Sequence, residues 1–81
     1  MKIKVLYFSS IKDKLKKNFE EIDIREEATV RELIDILKEK YPQINENLDK
    51  VLVAVNEEYA EDETVLKEGD TVALIPPVSG G

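Results

Sequence analysis

The sequence predicts an α+β roll, a mixed sheet of four to five strands packed on one main helix. Three observations carry that expectation. Apolar, β-branched runs of strand length stand at both ends of the chain and again at Val51-Leu52-Val53-Ala54-Val55. Between them lies one long stretch of helical period, introduced by Thr29-Val30-Arg31-Glu32 in the pattern of a capping box. The order of these segments is strand, strand, helix, strand, short edge strand, strand, and one dominant helix is the natural cover for one face of a sheet.

Taken in order, Ile3, Val5 and Tyr7 alternate with Lys2, Lys4, Leu6 and Phe8. This is a strand with one apolar face and a second face that turns apolar towards its end, so Leu6 and Phe8 need cover from elsewhere. Ser9 and Ser10 are candidates to cap a short helical turn from Ile11 to Lys16, with Ile11 and Leu15 four apart. Lys12, Lys14, Lys16 and Lys17 on that turn form the one concentrated basic run, most simply a solvated face. Phe19 to Ile24 is a second strand, with Ile22 and Ile24 inward, and the short connection favours antiparallel pairing with the first.

Behind Thr29, the residues Val30, Leu33, Ile34, Leu37 and Tyr41 fall on one helical stripe that Ile36 widens, and Pro42 closes the helix. Arg31 with Asp35 and Asp35 with Lys38 are expected surface pairs. Gln43 to Lys50 is polar apart from Ile44 and Leu48 and reads as a turn or loose helical connector. The run from Val51 to Val55 has the continuous apolar character of a strand buried on both faces or under apolar cover. Asn56-Glu57-Glu58 turns the chain into an edge segment around Tyr59, the acidic stretch from Ala60 to Glu63 is exposed, and Val65 and Leu66 return to the core. Lys67-Glu68-Gly69-Asp70 is a tight turn in which Gly69 supplies a positive φ and delivers the last strand, Thr71 to Ile75.

Pro76 and Pro77 then lack the N–H groups that a sheet ladder requires, so the sheet releases the chain there. Beyond them Val78, Ser79, Gly80 and Gly81 carry one apolar side chain, no charge and, at the tip, no side chains. Six such residues reach roughly 20 Å, and a tip of that calibre enters a channel that a larger residue would block. The competing reading of a bare Gly-Gly ending is a frayed terminus or a cloning remnant. The rigid Pro-Pro spacer, with Gly81 as the last residue, favours the C-terminal carboxylate as the functional group.

Composition narrows the choice. The chain has 81 residues, no cysteine and no histidine. One small domain is expected, with no room for a large active-site cavity and with thiol nucleophiles, disulfides, imidazole bases and most zinc and haem sites excluded. No motif suggests a metal held by carboxylates. The 18 acidic and 12 basic residues leave a net charge of -6. That balance repels nucleic acid and anionic lipid, and favours a partner with a basic surface. No signal peptide or bilayer-length apolar run is present, so no membrane association and a cytoplasmic location are expected.

The ending Val72-Ala73-Leu74-Ile75-Pro76-Pro77-Val78-Ser79-Gly80-Gly81 resembles that of the small, sulfur-carrier subunits of molybdopterin synthase. The likeness runs along the whole chain, through Ile3 to Phe8, Ala28-Thr29-Val30, Ala54-Val55-Asn56 with Tyr59 following, and Leu66-Lys67-Glu68-Gly69-Asp70-Thr71-Val72. Gly-Gly alone is shared with ubiquitin, the thiamine sulfur carrier and other β-grasp relatives; the full tail with the Val-Asn and Gly-Asp signals is more specific. Ser9-Ser10 departs from the family pattern, which often has a small apolar residue there.

The resemblance implies a ubiquitin-like β-grasp domain over residues 1–75 and a flexible tail over 76–81. It implies that an E1-like enzyme uses ATP to adenylate the carboxylate of Gly81, that sulfur displaces AMP to give a thiocarboxylate, and that this chain binds no cofactor itself. Without cysteine, the main-chain terminus is the one candidate carrier of sulfur. The large catalytic subunit of the synthase would take up the tail, threaded through Gly80, Ser79 and Val78, in a heterotetramer of two small and two large subunits. Sulfur would pass to a pyranopterin precursor, with the catalytic residues on the large subunit. Phe8, Pro76 and Pro77 are the candidate partner-binding residues. A thiamine-type carrier or a ubiquitin-like protein modifier would share the terminal activation, and a passive β-grasp interaction module would not need it.

Overall fold

The computed structural model describes residues 1–77, so the expectations placed on Val78, Ser79, Gly80 and Gly81 lie outside the described residues. In chain order the elements are β1 (Lys2–Tyr7), α1 (Ser9–Leu15), β2 (Phe19–Asp23), α2 (Val30–Lys40), a 3-10 turn (Pro42–Ile44), α3 (Asn45–Asp49), β3 (Leu52–Val55), β4 (Glu58–Tyr59) and β5 (Thr71–Ile75). They build a five-stranded sheet in the order β2-β1-β5-β3-β4. The first and last strands in sequence, β1 and β5, run parallel at its centre, while β1–β2, β3–β5 and β3–β4 are antiparallel. This is the β-grasp roll, with α2 lying across one face.

The buried side is set by strand alternation. Ile3, Val5 and Tyr7 of β1, Ile22 of β2, Val53 of β3 and Val72 and Leu74 of β5 pack against Val30, Leu33, Ile34 and Leu37 of α2 in one apolar cluster. Ile11, Ile44 and Leu48 complete it, so the segment after Pro42 is core as well as connector. Its two apolar residues, four apart, sit on two consecutive short helical pieces and cap the open end of the roll.

Several local expectations need correction. Phe8 is the N-cap of α1 and not the last residue of β1, and no side chain caps that helix; Ser9 and Ser10 are its first residues. Ile36 is exposed, because the stripe that faces the sheet is already filled by Val30, Leu33, Ile34 and Leu37. Val65 is exposed and only Leu66 reaches the core, since Val65 forms an isolated antiparallel bridge to Thr29 at the surface. Lys38 pairs with Asp49 of α3 in place of Asp35, whereas Arg31 does reach Asp35 at 3.5 Å. Leu52 is half exposed, whereas Val53 and Ala54, on opposite faces of β3, are both buried.

Candidate docking face and tail root

The uncovered face of the sheet is assembled by register. Leu6 pairs with Phe19 on one side and Ala73 on the other; Ala73 pairs with Ala54, and Ala54 with Tyr59. One straight row, Phe19–Leu6–Ala73–Ala54–Tyr59, therefore crosses all five strands on the side away from α2. Its ends are aromatic and largely exposed, Phe19 at 52% and Tyr59 at 79%, and its centre is two alanines. Leu6, Phe8 and Tyr59 stand around the two alanines of the floor in an open groove of about 590 Å³. The flanking rows differ in character. Lys4 pairs with Glu21 and Thr71 on one side of the groove, whereas Ile75 pairs with Leu52 on the other. Apolar character thus increases towards the end of β5, where Phe8, 42% exposed, also stands. Such a contiguous exposed apolar face on a small domain marks a site of association.

The tail root lies at that apolar end. Because β1 and β5 are parallel, with Tyr7 opposite Leu74, α1 starts from the same edge of the sheet at which β5 stops. Pro76 is buried within this chain and Pro77 is exposed. A shallow depression of about 250 Å³ beside them is lined by Lys14, Glu46, Asn47 and Lys50. Of the three candidate contact residues, Phe8 and Pro77 offer surface there, and Pro76 instead anchors the point of departure. The lysine run is partly engaged: Lys14 donates to Asn47 at 3.0 Å, and Lys17 donates to the Tyr41 hydroxyl at 3.0 Å.

Behind the same end, on the covered face, Glu20 ties three elements together. Its Oε1 accepts from the hydroxyls of Tyr7 at 2.7 Å and Tyr41 at 2.6 Å, and its Oε2 from Lys40 at 3.0 Å. Partial burial alone would raise the Glu20 carboxyl, but the hydrogen bonds from Tyr41, Tyr7 and Lys40 outweigh it and hold the group down at about 2. Burial, with the neighbouring Glu20 carboxylate adding to it, pushes the Tyr7 phenol well above its ordinary value. This network joins β1, β2 and the end of α2; no sequence signal announced it, because Glu20 reads as one more acidic residue of a strand.

The far end of the face is closed by two turns that meet. The Asn56 side chain donates to Asp70 at 2.9 Å and accepts from the Thr71 N–H at 3.0 Å. Asn56 and Asp70 belong to the two short signals singled out in the sequence, and their contact fixes the β3–β4 turn against the start of β5. Gly69 stands at φ 84 in the intervening turn, as expected. The central residues of the groove, Ala54 and Ala73, were not identifiable as site residues from the sequence, because a run such as Val51–Val55 does not say which alternate set the helix covers. The one available hint was the late apolar turn of β1 at Leu6 and Phe8. Among the described residues, no helix is long and apolar enough to cross a membrane.

The chain matches the model of the ThiS family over residues 5–81. It is 38% identical to the molybdopterin synthase sulfur carrier subunit of Mycobacterium tuberculosis over 82 residues, covering 100% of this chain and 99% of the relative. Among solved structures, it is similar to a chain of the complex of subunits 1 and 2 of the molybdopterin-converting factor from Helicobacter pylori, with a TM-score of 0.75, 33% identity and 100% of both chains covered. It is also similar to small archaeal modifier protein 1 (SAMP1) from Haloferax volcanii, with a TM-score of 0.89, 26% identity and 100% of both chains covered.

Proposed function

The chain belongs to the ThiS family, and from that premise we propose that it is the sulfur carrier subunit of a molybdopterin synthase. The single observation that carries the structural side of this reading is the central strand β5, which leaves the sheet at Pro76 and Pro77 beside the most apolar part of an uncovered face. A carrier must be held by its body while its terminus enters another protein's active site. An apolar docking face contiguous with the tail root provides that geometry.

The chemistry follows from the terminus. A carboxylate is a poor electrophile; attack of its oxygen on the α-phosphorus of ATP, with pyrophosphate leaving, makes a mixed anhydride with AMP as the leaving group. A sulfur nucleophile then adds to the Gly81 carbonyl and AMP departs, leaving a thiocarboxylate. The E1-like activating enzyme binds the ATP, and this chain binds no cofactor. The loaded carrier docks on the large subunit through Phe8, Pro77 and the face beside them, with Pro76 fixing the direction of exit. Val78, Ser79, Gly80 and Gly81 pass into that subunit's site, where sulfur is given to the pyranopterin precursor. The assembly is a heterotetramer of two small and two large subunits in the cytoplasm, and the catalytic residues lie on the large subunit. The Helicobacter pylori complex supports the pairing with a large subunit.

The likeness to SAMP1 supports a second reading, a ubiquitin-like modifier, which shares terminal activation and differs in the acceptor. Intact mass separates the two. After incubation with activating enzyme, ATP and a sulfur donor, the chain is expected to gain the mass of one oxygen replaced by sulfur, and to lose it when large subunit and precursor are added. Retention of the gain, with isopeptide adducts on other proteins, would favour the modifier. No gain under conditions that load a known carrier would leave a passive module. Replacement of Gly81 by a bulky residue is expected to abolish transfer with the melting temperature unchanged, and normal transfer by that variant would remove the threading argument.

A further inference from the structure

Charged side chains of opposite sign, Glu57 and the pair Lys14 and Lys50, stand near the two ends of β5, and Lys4 with Glu21 flanks the groove at the Glu57 end. At the start of β5, Glu57 lines the groove, has no ion pair within 4.0 Å among the described residues, and stands at φ 73. Two-residue hairpin turns of this kind favour Asn-Gly, and a non-glycine residue in the left-handed region is strained. Asn56 occupies the first position as expected, but the second is a glutamate where glycine would be free of strain. Ser9, Lys16 and Glu27 share the left-handed backbone, yet none of them lines the groove, so the strain gains meaning at Glu57 from its position. At the other end, Lys14 and Lys50 flank Pro76 and Pro77, with Glu46 as the one carboxylate in the same depression. Behind the turn, Glu58 shares a depression with Lys67 and Asp70.

We propose that this opposition of Glu57 to Lys14 and Lys50 sets the direction in which the large synthase subunit lies along the apolar face. That subunit presents an arginine or lysine over the β3–β4 turn and carboxylates beside the tail root. This rests on the carrier reading above. The gradient of apolar character along the face distinguishes one direction from the reverse only weakly, whereas only one direction brings the tail to its site. Charges at the rim of an interface supply that discrimination and steer encounter, because the wrong orientation places like charges together. A single phosphate is a poorer fit to the basic end, because Glu46 shares the depression and the lysines are spread along α1 and the end of α3 instead of converging on one point.

The test is the association rate of the intact carrier with its large subunit, measured at low and high salt. Glu57→Lys and the double variant Lys14→Glu/Lys50→Glu are each expected to slow association about tenfold at low salt, with the gap closing near about 0.5 M, where exposed charges are screened. Glu57→Gly separates charge from backbone: its melting temperature is expected to rise by a few degrees while association at low salt still slows, by less than in Glu57→Lys. Rates equal to wild type in the reversal variants, or slowing that persists unchanged at high salt, would overturn the proposal. So would Glu57→Gly binding as well as wild type. Sulfur loading, followed by mass, reports on the carrier reading separately: a chain that loads sulfur but shows no orientation effect sinks this inference alone.

Discussion

The two faces of the sheet are made from the same strands with opposite consequences. On the covered face, β1 contributes Ile3, Val5 and Tyr7, β5 contributes Val72 and Leu74, and all five are buried under α2. On the open face, the residues between them, Leu6, Ala73 and Ile75, are only partly buried although apolar. Hydrophobicity in a strand thus states how much surface is to be covered and not by whom. The first set is covered by this chain and sets its stability; the second awaits another protein and sets its association.

Substitutions on each face should therefore separate two measurements. Leu33 of α2 is fully buried against the covered face. Leu33→Ala is expected to lower unfolding free energy by about 2–5 kcal/mol, read from chemical denaturation, through lost burial and the cavity left behind. A loss below about 1 kcal/mol would mean that α2 is not the essential cover. Ala73→Arg, in the floor of the groove, is expected to do the reverse. Its stability change should stay within about 1 kcal/mol, whereas affinity for the large subunit falls on the order of 100-fold, about 2.7 kcal/mol. Unchanged affinity would move the docking surface off this face.

That asymmetry also explains what the sequence made legible. The covered face follows from periodicity, because the stripe from Val30 to Leu37 and the alternation of Ile3, Val5 and Tyr7 both point inward without reference to a partner. The capping box at Thr29, the positive φ of Gly69 and the release of the chain at Pro76 are likewise local chemistry. Pairwise register is not local. The row from Phe19 to Tyr59 exists only because β1 and β5, the first and last strands in sequence, lie side by side. Residues on five separate strands then meet, and the alanines at its centre look unremarkable in isolation. The Glu20 network was illegible for the same reason, since Tyr7, Tyr41 and Lys40 come from different elements.

Glu20 and Tyr7 give the covered face a pH signature. The Glu20 carboxyl is held at about 2 in the folded chain by the hydrogen bonds that overcome its desolvation. A depressed carboxyl stabilises the fold above its unfolded value of about 4.3, and that contribution is lost as pH falls from there towards 2. Discounted for the water that reaches the carboxylate, it amounts to about 1–2 kcal/mol. Tyr7 acts at the other extreme. Its raised phenol stabilises the fold below the unfolded value near 10, and that contribution is lost as pH rises beyond it. Glu20→Gln should shrink the acid limb between about 4.3 and 2 in denaturation measured against pH. An acid limb of wild-type size in that variant would assign it to other carboxylates.

The smallest effect belongs to the edge of the cover, where each of the first four N–H groups of α2 has a partner. Val30 donates to the Thr64 carbonyl at 3.0 Å, Arg31 to the Asp62 carbonyl at 3.0 Å, Glu32 to the Thr29 hydroxyl at 3.3 Å and Leu33 to the Thr29 carbonyl at 3.1 Å. Two of these partners come from the loop after β4, so the start of the helix is tied to a distant segment as well as to its own cap. In return the Glu32 carboxylate accepts from the Thr29 N–H at 3.1 Å and is held below the usual carboxylate range, first by the Arg25 guanidinium and then by that N–H. Thr29→Ala removes one partner of the four and leaves the loop contacts standing, so it is expected to cost about 1 kcal/mol. Affinity for the large subunit should not change, because this end of α2 is on the covered side; a variant that lost affinity in proportion to stability would show that the two faces are coupled through the sheet and not independent.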